Sequence, residues 1–401
     1  VTISTLSFQN NAVDQMNALE QALSKTQTQL STGITLQTAA DNPVGMTQVN
    51  ELNTELSASQ QYVANGNLAS SALTLESQAL TNATNILQSV NGLLVQANNG
   101  ALNAAQRQDI ATQLQQLQQQ LVATANSRDS QGNYLFAGYA SGTEPFVQNG
   151  TAVRYAGANE VSQVQISPEQ SLSSGDTGSA VFMNLPAGNG TFTTAAAATN
   201  TGSAAVGAST VTNPAAWSAG GTYTIDFTSP SQYQVTNATT GAVVASGSYA
   251  ASADGPFSIA FNGIQLSFSG VPATGDQFTV AAAGTASVFS TIAGAIDTLN
   301  STQLNAAQRT TQLNTASEQL TGALNNFEQV QASVGARINA VSAAQSSAQS
   351  QQTDYQTAIS QLADTNYAAA TTQLSTEELA LQAAQASYAS MESLSLFKYV
   401  S

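Results

Sequence analysis

Glu377 and Glu378 form the one adjacent acidic pair in the sequence, and two carboxylates are the minimum that glycoside hydrolysis requires. No pocket-forming context surrounds them. The chain has no His and no Cys, which removes Ser-His-Asp catalysis, thiol chemistry, zinc sites of the usual kind and disulfides. Asp254-Gly255 and Gly275-Asp276 read as turns, because no loop offers the dense alternation of Asp and Asn that calcium needs. No cofactor or metal is expected. Glu377 falls instead on the apolar stripe of the last helical stretch. There it either meets a cation of another subunit or stays solvated at a loose helix end. Arg337, in Ser333-Val334-Gly335-Ala336-Arg337, also sits on a stripe. It either bridges to another helix in an ion pair or lays its stem on the stripe with its head in water.

The stripes are the stronger signal. Met16, Leu23 and Leu30 recur at sevens, with Ala12, Leu19 and Thr26 between them. Tyr367, Leu374, Leu381 and Tyr388 do the same at the other end, interleaved with Ala370, Ala384 and Met391. A seven-residue apolar repeat keeps one helix face on a partner and imposes a left-handed supercoil. Neither end is long or apolar enough to stand alone in water. Each therefore needs the other end or a neighbouring subunit.

The remaining helical stretches follow the same rule. Ser31-Thr32-Gly33 and Ala40-Asp41-Asn42-Pro43 break the first helix. Asp41 or Asn42 suits a cap and Pro43 a first turn. A long helix follows, which Gly66 interrupts or leaves intact; Leu73, Leu80, Leu87 and Leu94 repeat at sevens along it. It ends at Asn98-Asn99-Gly100, and a return helix over 104–129 carries Ile110, Leu114, Leu117 and Leu121. The longest repeat joins Leu313, Leu320, Phe327, Val334, Val341, Ala348, Tyr355 and Leu362, and its register slips at Asp364-Thr365-Asn366-Tyr367. Leu102-Asn103-Ala104-Ala105-Gln106-Arg107 recurs as Leu304-Asn305-Ala306-Ala307-Gln308-Arg309, an echo of helix-start chemistry or of a duplication.

Between the helices the period changes. Tyr134-Leu135-Phe136-Ala137-Gly138-Tyr139 predicts a strand and turn. Tyr223–Phe227 and Phe257–Phe261 alternate as antiparallel strands of a sandwich or barrel. The Ala, Thr, Gly and Ser run over 187–210 predicts a flexible loop or an edge strand. The expected fold is thus mainly α with a β insertion: a long antiparallel bundle built from both chain ends, plus an inserted antiparallel β domain. Residues 1–44 and 363–401 form terminal coiled-coil helices, 45–145 and 286–362 a helical shaft, and 146–285 the β domain. Asp41, Asn42, Pro43, Asp364 and Tyr367 mark the junction between ends and shaft.

Charge narrows the partners. Of 401 residues, 7 are basic and 23 acidic, for a net charge of −16. Nucleic acid and anionic membrane surfaces both require basic patches, so neither is a partner. No apolar run approaches the roughly 18 to 20 residues of a membrane span. Val1 to Asn11 lack the basic and apolar regions of a secretory signal, so export without a cleaved signal is expected.

Four stretches resemble a known family. Ile3-Ser4-Thr5 opens the chain, and Leu30-Ser31-Thr32-Gly33 precedes Asp41-Asn42-Pro43-Val44, with Asn42 where Asp is commoner. Ala125-Asn126-Ser127-Arg128-Asp129 precedes Gly132-Asn133-Tyr134-Leu135-Phe136-Ala137-Gly138-Tyr139. Val334-Gly335-Ala336-Arg337, Asp364-Thr365-Asn366-Tyr367 and Ser395-Leu396-Phe397 close it, with Lys398 where Asp is common. These resemble the flagellin superfamily, and most closely its hook–filament junction members. The likeness covers roughly 1–160 and 285–401, and is most specific at the Leu135–Tyr139 and Ser395–Phe397 stretches.

The resemblance implies a structural, extracellular flagellar protein without catalysis. It implies export through the flagellar type III secretion apparatus, an export chaperone, and self-assembly as a ring beside flagellin and a neighbouring hook-associated protein. The stripe residues Met16, Leu19, Leu23, Leu30, Tyr367, Leu374, Leu381, Tyr388 and Met391, with Leu396 and Phe397, become the expected assembly interface. A filament flagellin, another junction protein, or an adhesin displaying its β domain are the rival readings.

Overall fold

The computed structural model describes the backbone of residues 5–217, 221–250 and 255–400 and, within those spans, the side chains of residue 7 and residues 9–390. Six α-helices lie among them: α1 (Thr5–Thr32), α2 (Pro43–Ala97), α3 (Ala104–Ala125), α4 (Val288–Asn300), α5 (Ala306–Ala363) and α6 (Tyr367–Val400). The chain divides into two compact units, Val1–Ala64 with Ala344–Ser401, and Asn65–Ala343.

In the terminal unit, α1 packs on α6. The end of α1 is tied to the start of α6, so the two run antiparallel. The start of α2 and the end of α5 form a second pair, where the buried Ser59 hydroxyl donates to the Ala348 carbonyl at 3.0 Å. Pro43 occupies the first turn of α2, and Asn42 caps it by accepting from the Gly45 amide at 3.0 Å. Gly66 does not break α2, which is continuous and buries that glycine.

The second unit holds a helical bundle. The stripe of α2 (Ala69, Leu73, Leu80, Leu87, Leu94) and that of α5 (Leu313, Leu320, Phe327, Val334) are buried. So are Ile110, Leu114 and Leu121 of α3 and Ile292, Ile296 and Leu299 of α4. Each of these Leu, Ile, Val and Phe side chains contributes roughly 1.5–3 kcal/mol through removal from water. Helix α3 stops at Ala125, short of the 129 expected. The Asn126 side chain leaves the helix to pair with the Phe146 backbone, donating to its carbonyl at 2.8 Å and accepting from its amide at 2.9 Å.

The strands begin with two small hairpins, β1 (Phe146–Asn149) with β2 (Ala152–Tyr155) and β3 (Gln163–Ser167) with β4 (Gln170–Ser173). A π-helical turn, Ser179–Met183, leads to β5 (Leu185–Pro186). Phe146 and Phe182 pack with each other and with Phe289 of α4; Phe182 also meets Phe136 and Phe327 of α5. This segment therefore shares the core of the helices. Tyr134–Tyr139 is not a strand beyond one bridge, Arg128 to Tyr134. Its amides bond instead to scattered loop carbonyls of Ser141, Ser127 and Glu160.

A sandwich follows, built from β6 (Phe192–Ala196), β7 (Ala205–Val211), β8 (Tyr223–Ser229), β9 (Gln232–Asn237), β10 (Val243–Ser248), β11 (Phe257–Phe261), β12 (Ile264–Ser269) and β13 (Gln277–Ala282). One sheet runs β10-β9-β8-β13-β6 and the other β11-β12-β7, all antiparallel. Asn262-Gly263, both at positive φ (44° and 76°), make the tight turn between β11 and β12. The core joins Tyr223, Phe227, Phe261 and Phe268, with Trp217 packed against it. Of the two readings for residues 187–210 the edge holds: they supply β6 and most of β7, each the edge strand of its sheet, with small residues alternating toward the core. A last short strand, β14 (Thr285–Ala286), pairs with β5 and returns the chain to α4.

Candidate assembly interface

In α1 the stripe residues Ala12, Met16, Leu19, Leu23 and Leu30 are half-buried, while Thr26 is buried. In α6, Leu374, Leu381 and Tyr388 are half-buried and Ala370 is buried. The pairing of α1 with α6 therefore leaves each stripe only partly covered. Leu379, on another face of α6, stands 68% exposed. Met391, Leu396 and Phe397 fall on the backbone of α6 but outside the described side chains.

The junction is built from backbone. The Thr365 amide donates to the Gly33 carbonyl at 2.8 Å, and the Thr35 amide to the Ala363 carbonyl at 2.6 Å. Ile34 and Asp364 form a β-bridge. Gly33 sits at φ +72°, and a Cβ there would come within 3.0 Å of the Tyr367 hydroxyl. Tyr367 is 57% exposed. Its hydroxyl over Gly33 places it at the junction rather than in the buried part of the seam. Asp41 accepts from the Gln37 and Thr38 amides and pairs with Lys25 at 2.6 Å. That ion pair, then the Thr38 bonds, hold its carboxyl far below the usual carboxylate range. Asn366 caps α6 by accepting from the Ala369 amide.

The two candidate ion-pair residues part ways. Glu377 accepts a 2.9 Å bond from Gln373 of its own helix, and its other carboxylate oxygen is buried without a hydrogen-bond partner. Arg337 does form an ion pair, but not with a helix. Its guanidinium meets Asp176, in the loop after β4, and donates to the Ser173 and Gly175 carbonyls at 3.2 and 3.1 Å. The stripe reading missed this because the partner loop is 161 residues away.

The same loop reaches Glu76, which α2 carries on its apolar stripe and which is 1% exposed. One oxygen accepts from the Asp176 amide at 3.1 Å; the other has no partner. Burial, reinforced by the neighbouring Asp176 charge, pushes the Glu76 carboxyl up to about 9. It is therefore a neutral acid at neutral pH. Beside it lies a cavity of about 170 Å³ lined by Glu76, Asp129, Asn133, Tyr134 and Asp176. No group of three or more acidic, His or Cys side chains among the described residues could hold a metal ion.

Helix α5 holds another feature that apolar patterning does not reveal. Its polar residues serve the open edges of the sandwich. Thr311 accepts from the Val206 amide, Asn314 donates to the Val206 carbonyl, and Glu318 accepts from the Ser209 amide. Gln308 donates to the carbonyls of Ala197 and Ala198. These positions share one helix face by spacing, which is the signal that could have been read. Thr311, Asn314 and Glu318 satisfy the free edge of β7, which would otherwise be a template for unwanted pairing, and Gln308 holds the loop just after β6.

Comparison with known proteins agrees with this architecture. The family described as the bacterial flagellin N-terminal helical region matches residues 3–141. The family described as flagellar hook-associated protein 1, D2-like domain, matches residues 195–282, within the sandwich. Flagellar hook-associated protein 3 of Escherichia coli is 31% identical over 157 residues, which is 39% of this chain. That match spans 49%, about half, of the relative's own length. FlgL of Xanthomonas campestris superposes with a TM-score of 0.70 at 32% identity, covering 77% of this chain and 99% of that one. The flagellar junction protein FlgL of Legionella pneumophila gives 0.66 at 30% identity, covering 74% and 99%.

Proposed function

The chain belongs to the FlgL family of flagellar hook-associated proteins, and from that premise we propose that it is a structural subunit joining hook to filament through its terminal helices. The observation that carries this reading is the half-covered seam of α1 and α6. An apolar stripe left partly open on a helix pair is completed by further helices, and neighbouring subunits supply them. The reading assigns no catalysis and no cofactor.

The finer parts of the proposal follow. Copies of the chain form a ring, with a neighbouring hook-associated protein on one side and flagellin on the other. A chaperone holds the chain before export through the flagellar secretion apparatus. Residues 1–44 and 363–401 make the assembly contacts, 45–145 and 286–362 form the shaft, and the sandwich within 146–285 faces outward. Within that scheme Met16, Leu19, Leu23, Leu30, Leu374, Leu381, Tyr388, Met391, Leu396 and Phe397 line the subunit contacts, and Glu377 awaits a cation from a neighbour.

The test is complementation of a strain lacking its own junction protein. Leu23→Asp or Leu381→Asp places an unpaired charge on the seam, at roughly several kcal/mol. Each variant should be exported, leave flagellin in the medium and build no filaments. Normal swimming by both would remove the seam from the assembly contacts.

A further inference from the structure

Six Asn–Gly pairs occur in the sequence, at residues 65–66, 91–92, 99–100, 149–150, 189–190 and 262–263. Glycine offers a backbone nitrogen with no side chain to obstruct it, and the preceding carboxamide is its nearest electrophile. Four of the pairs are held by the fold. Two lie inside α2, where each glycine amide belongs to the helical ladder. Asn189 Oδ1 accepts from the Thr191 and Phe192 amides, but the Gly190 amide is engaged by the Ala187 carbonyl at 3.0 Å. Asn262 and Gly263 are clamped in their turn, where the Thr212 and Asn213 amides donate to the Gly263 carbonyl at 2.8 and 2.9 Å. Asn149 pairs with Ala152 across the β1–β2 turn, and among the described residues nothing donates to its carboxamide.

Asn99–Gly100 differs from all of these. It lies in the loop after α2, and both residues are exposed. The Gly100 amide donates no hydrogen bond among the described residues. A Cβ there would meet nothing within 4 Å, so approach is open. The Ala101 amide donates to Asn99 Oδ1 at 3.1 Å, which folds the carboxamide back over the Gly100 peptide. That donor sits on the oxygen where negative charge develops during attack at Cγ.

We propose that Asn99–Gly100 is a site of spontaneous modification, which converts Asn99 to aspartate and isoaspartate through a succinimide. The Gly100 nitrogen loses its proton to solvent base and forms a bond to Cγ of Asn99. The Cγ–Nδ2 bond then breaks, and the leaving nitrogen takes up a proton and departs as ammonia. Water opens the resulting five-membered ring. Cleavage between Cγ and the ring nitrogen gives aspartate; cleavage between the main-chain carbonyl carbon and that nitrogen gives isoaspartate. Either product adds one negative charge, and isoaspartate also lengthens the main chain by one methylene. The loop is pinned on both sides of that change. Asn98 donates to Asn314 of α5 at 2.7 Å. Asn103 closes a capping box with Gln106 at the start of α3, as Asn305 does with Gln308 at the start of α5. Between the pins, the Leu102 amide donates to the Asn99 carbonyl at 3.2 Å. In isoaspartate that carbonyl leaves the main chain as a carboxylate, so the Leu102 bond is disrupted and the start of α3 loosens.

The test incubates the full chain at pH 6 and pH 8, folded and in urea. Tandem mass spectrometry with electron-transfer fragmentation then maps aspartate and isoaspartate separately. In the folded chain Asn99 should convert at least tenfold faster than each of the other five asparagines, and faster at pH 8 than at pH 6, with isoaspartate among the products. In urea the six rates should converge, because only the shared dipeptide remains. Gly100→Ala should slow conversion at least tenfold with an unchanged circular dichroism spectrum, since the added Cβ is unopposed and the glycine is not in the left-handed region. Hydrogen exchange at the Leu102 amide should rise in the aged chain but not in aged Gly100→Ala. Another pair that converts as fast in the folded chain, or a stable Asn99, overturns the site. Aspartate at residue 99 without isoaspartate indicates direct hydrolysis and overturns the succinimide route.

Discussion

At the scale of single residues, Glu76 couples stability to pH. Its carboxyl titrates near 4.5 when free and is pushed up to about 9 in the fold. The folded state therefore keeps a proton that the unfolded state releases between those values. The stabilising contribution is complete below about 4.5 and is lost as pH rises through about 9, with a limiting slope of about 1.4 kcal/mol per pH unit. Chemical denaturation at pH 5 and pH 8 should show the second unit more stable at the lower pH. Glu76→Gln keeps an acceptor for the Asp176 amide and cannot ionise, so it should flatten that dependence and raise stability at pH 8. Gly138 is a second sensitive point. It sits at φ +61°, and a Cβ there would lie 2.4 Å from the Glu160 carbonyl and 2.6 Å from that of Ala158. Gly138→Ala should cost at least about 2 kcal/mol in a melting experiment, whereas Gly132→Ala, at φ +88° but with nothing nearby, should cost less.

At the scale of elements, α5 does two unlike jobs on two faces. Its apolar face builds the bundle, and Leu320→Ala there should cost about 2–5 kcal/mol of unfolding free energy, as for other fully buried leucines. Its polar face secures the sandwich edge. A pair of substitutions, Thr311→Val and Glu318→Leu, leaves the amides of Val206 and Ser209 without acceptors. Hydrogen exchange at those two amides should rise by at least tenfold, while the amides of β8 and β13 in the opposite sheet keep their protection. Equal loss of protection in both sheets would mean that the edge contacts hold the whole sandwich together.

At the scale of the molecule, the strand-bearing segment is not one body. The core of the sandwich runs from Phe192 to Val280. Phe146 and Phe182 belong with Phe136, Phe289 and Phe327 instead. Expressed alone, residues 187–285 should fold with a cooperative thermal transition. Residues 146–285 should show the same transition but self-associate, because the two stranded phenylalanines lose their partners and remain in water. Analytical ultracentrifugation of both fragments distinguishes the outcomes. A monomeric longer fragment would show that the hairpins can bury those rings themselves.

Local patterning carried the sequence reading far. The heptad stripes of α1, α2, α5 and α6, the breaks at Gly33 and Asp364, and the alternation at Tyr223–Phe227 all follow from burying one face of a regular element. Both capping boxes were legible because their partners lie three residues apart. What escaped was contact over long separation. Arg337 finds Asp176, Glu76 finds the Asp176 amide, and Thr311 finds Val206, each at least 100 residues away in the chain. No period encodes such pairs, since a polar residue on a helix face looks the same whether it meets water or a strand edge. The fate of Tyr134–Tyr139 has the same cause. Its composition predicted a strand and turn; the turn is there, but in place of the strand its amides went to the loop carbonyls that the surrounding packing brought within reach. Repeating patterns determined the elements and their buried faces; the closing of loops onto helices, which only the assembled chain can do, decided where its few charges are held.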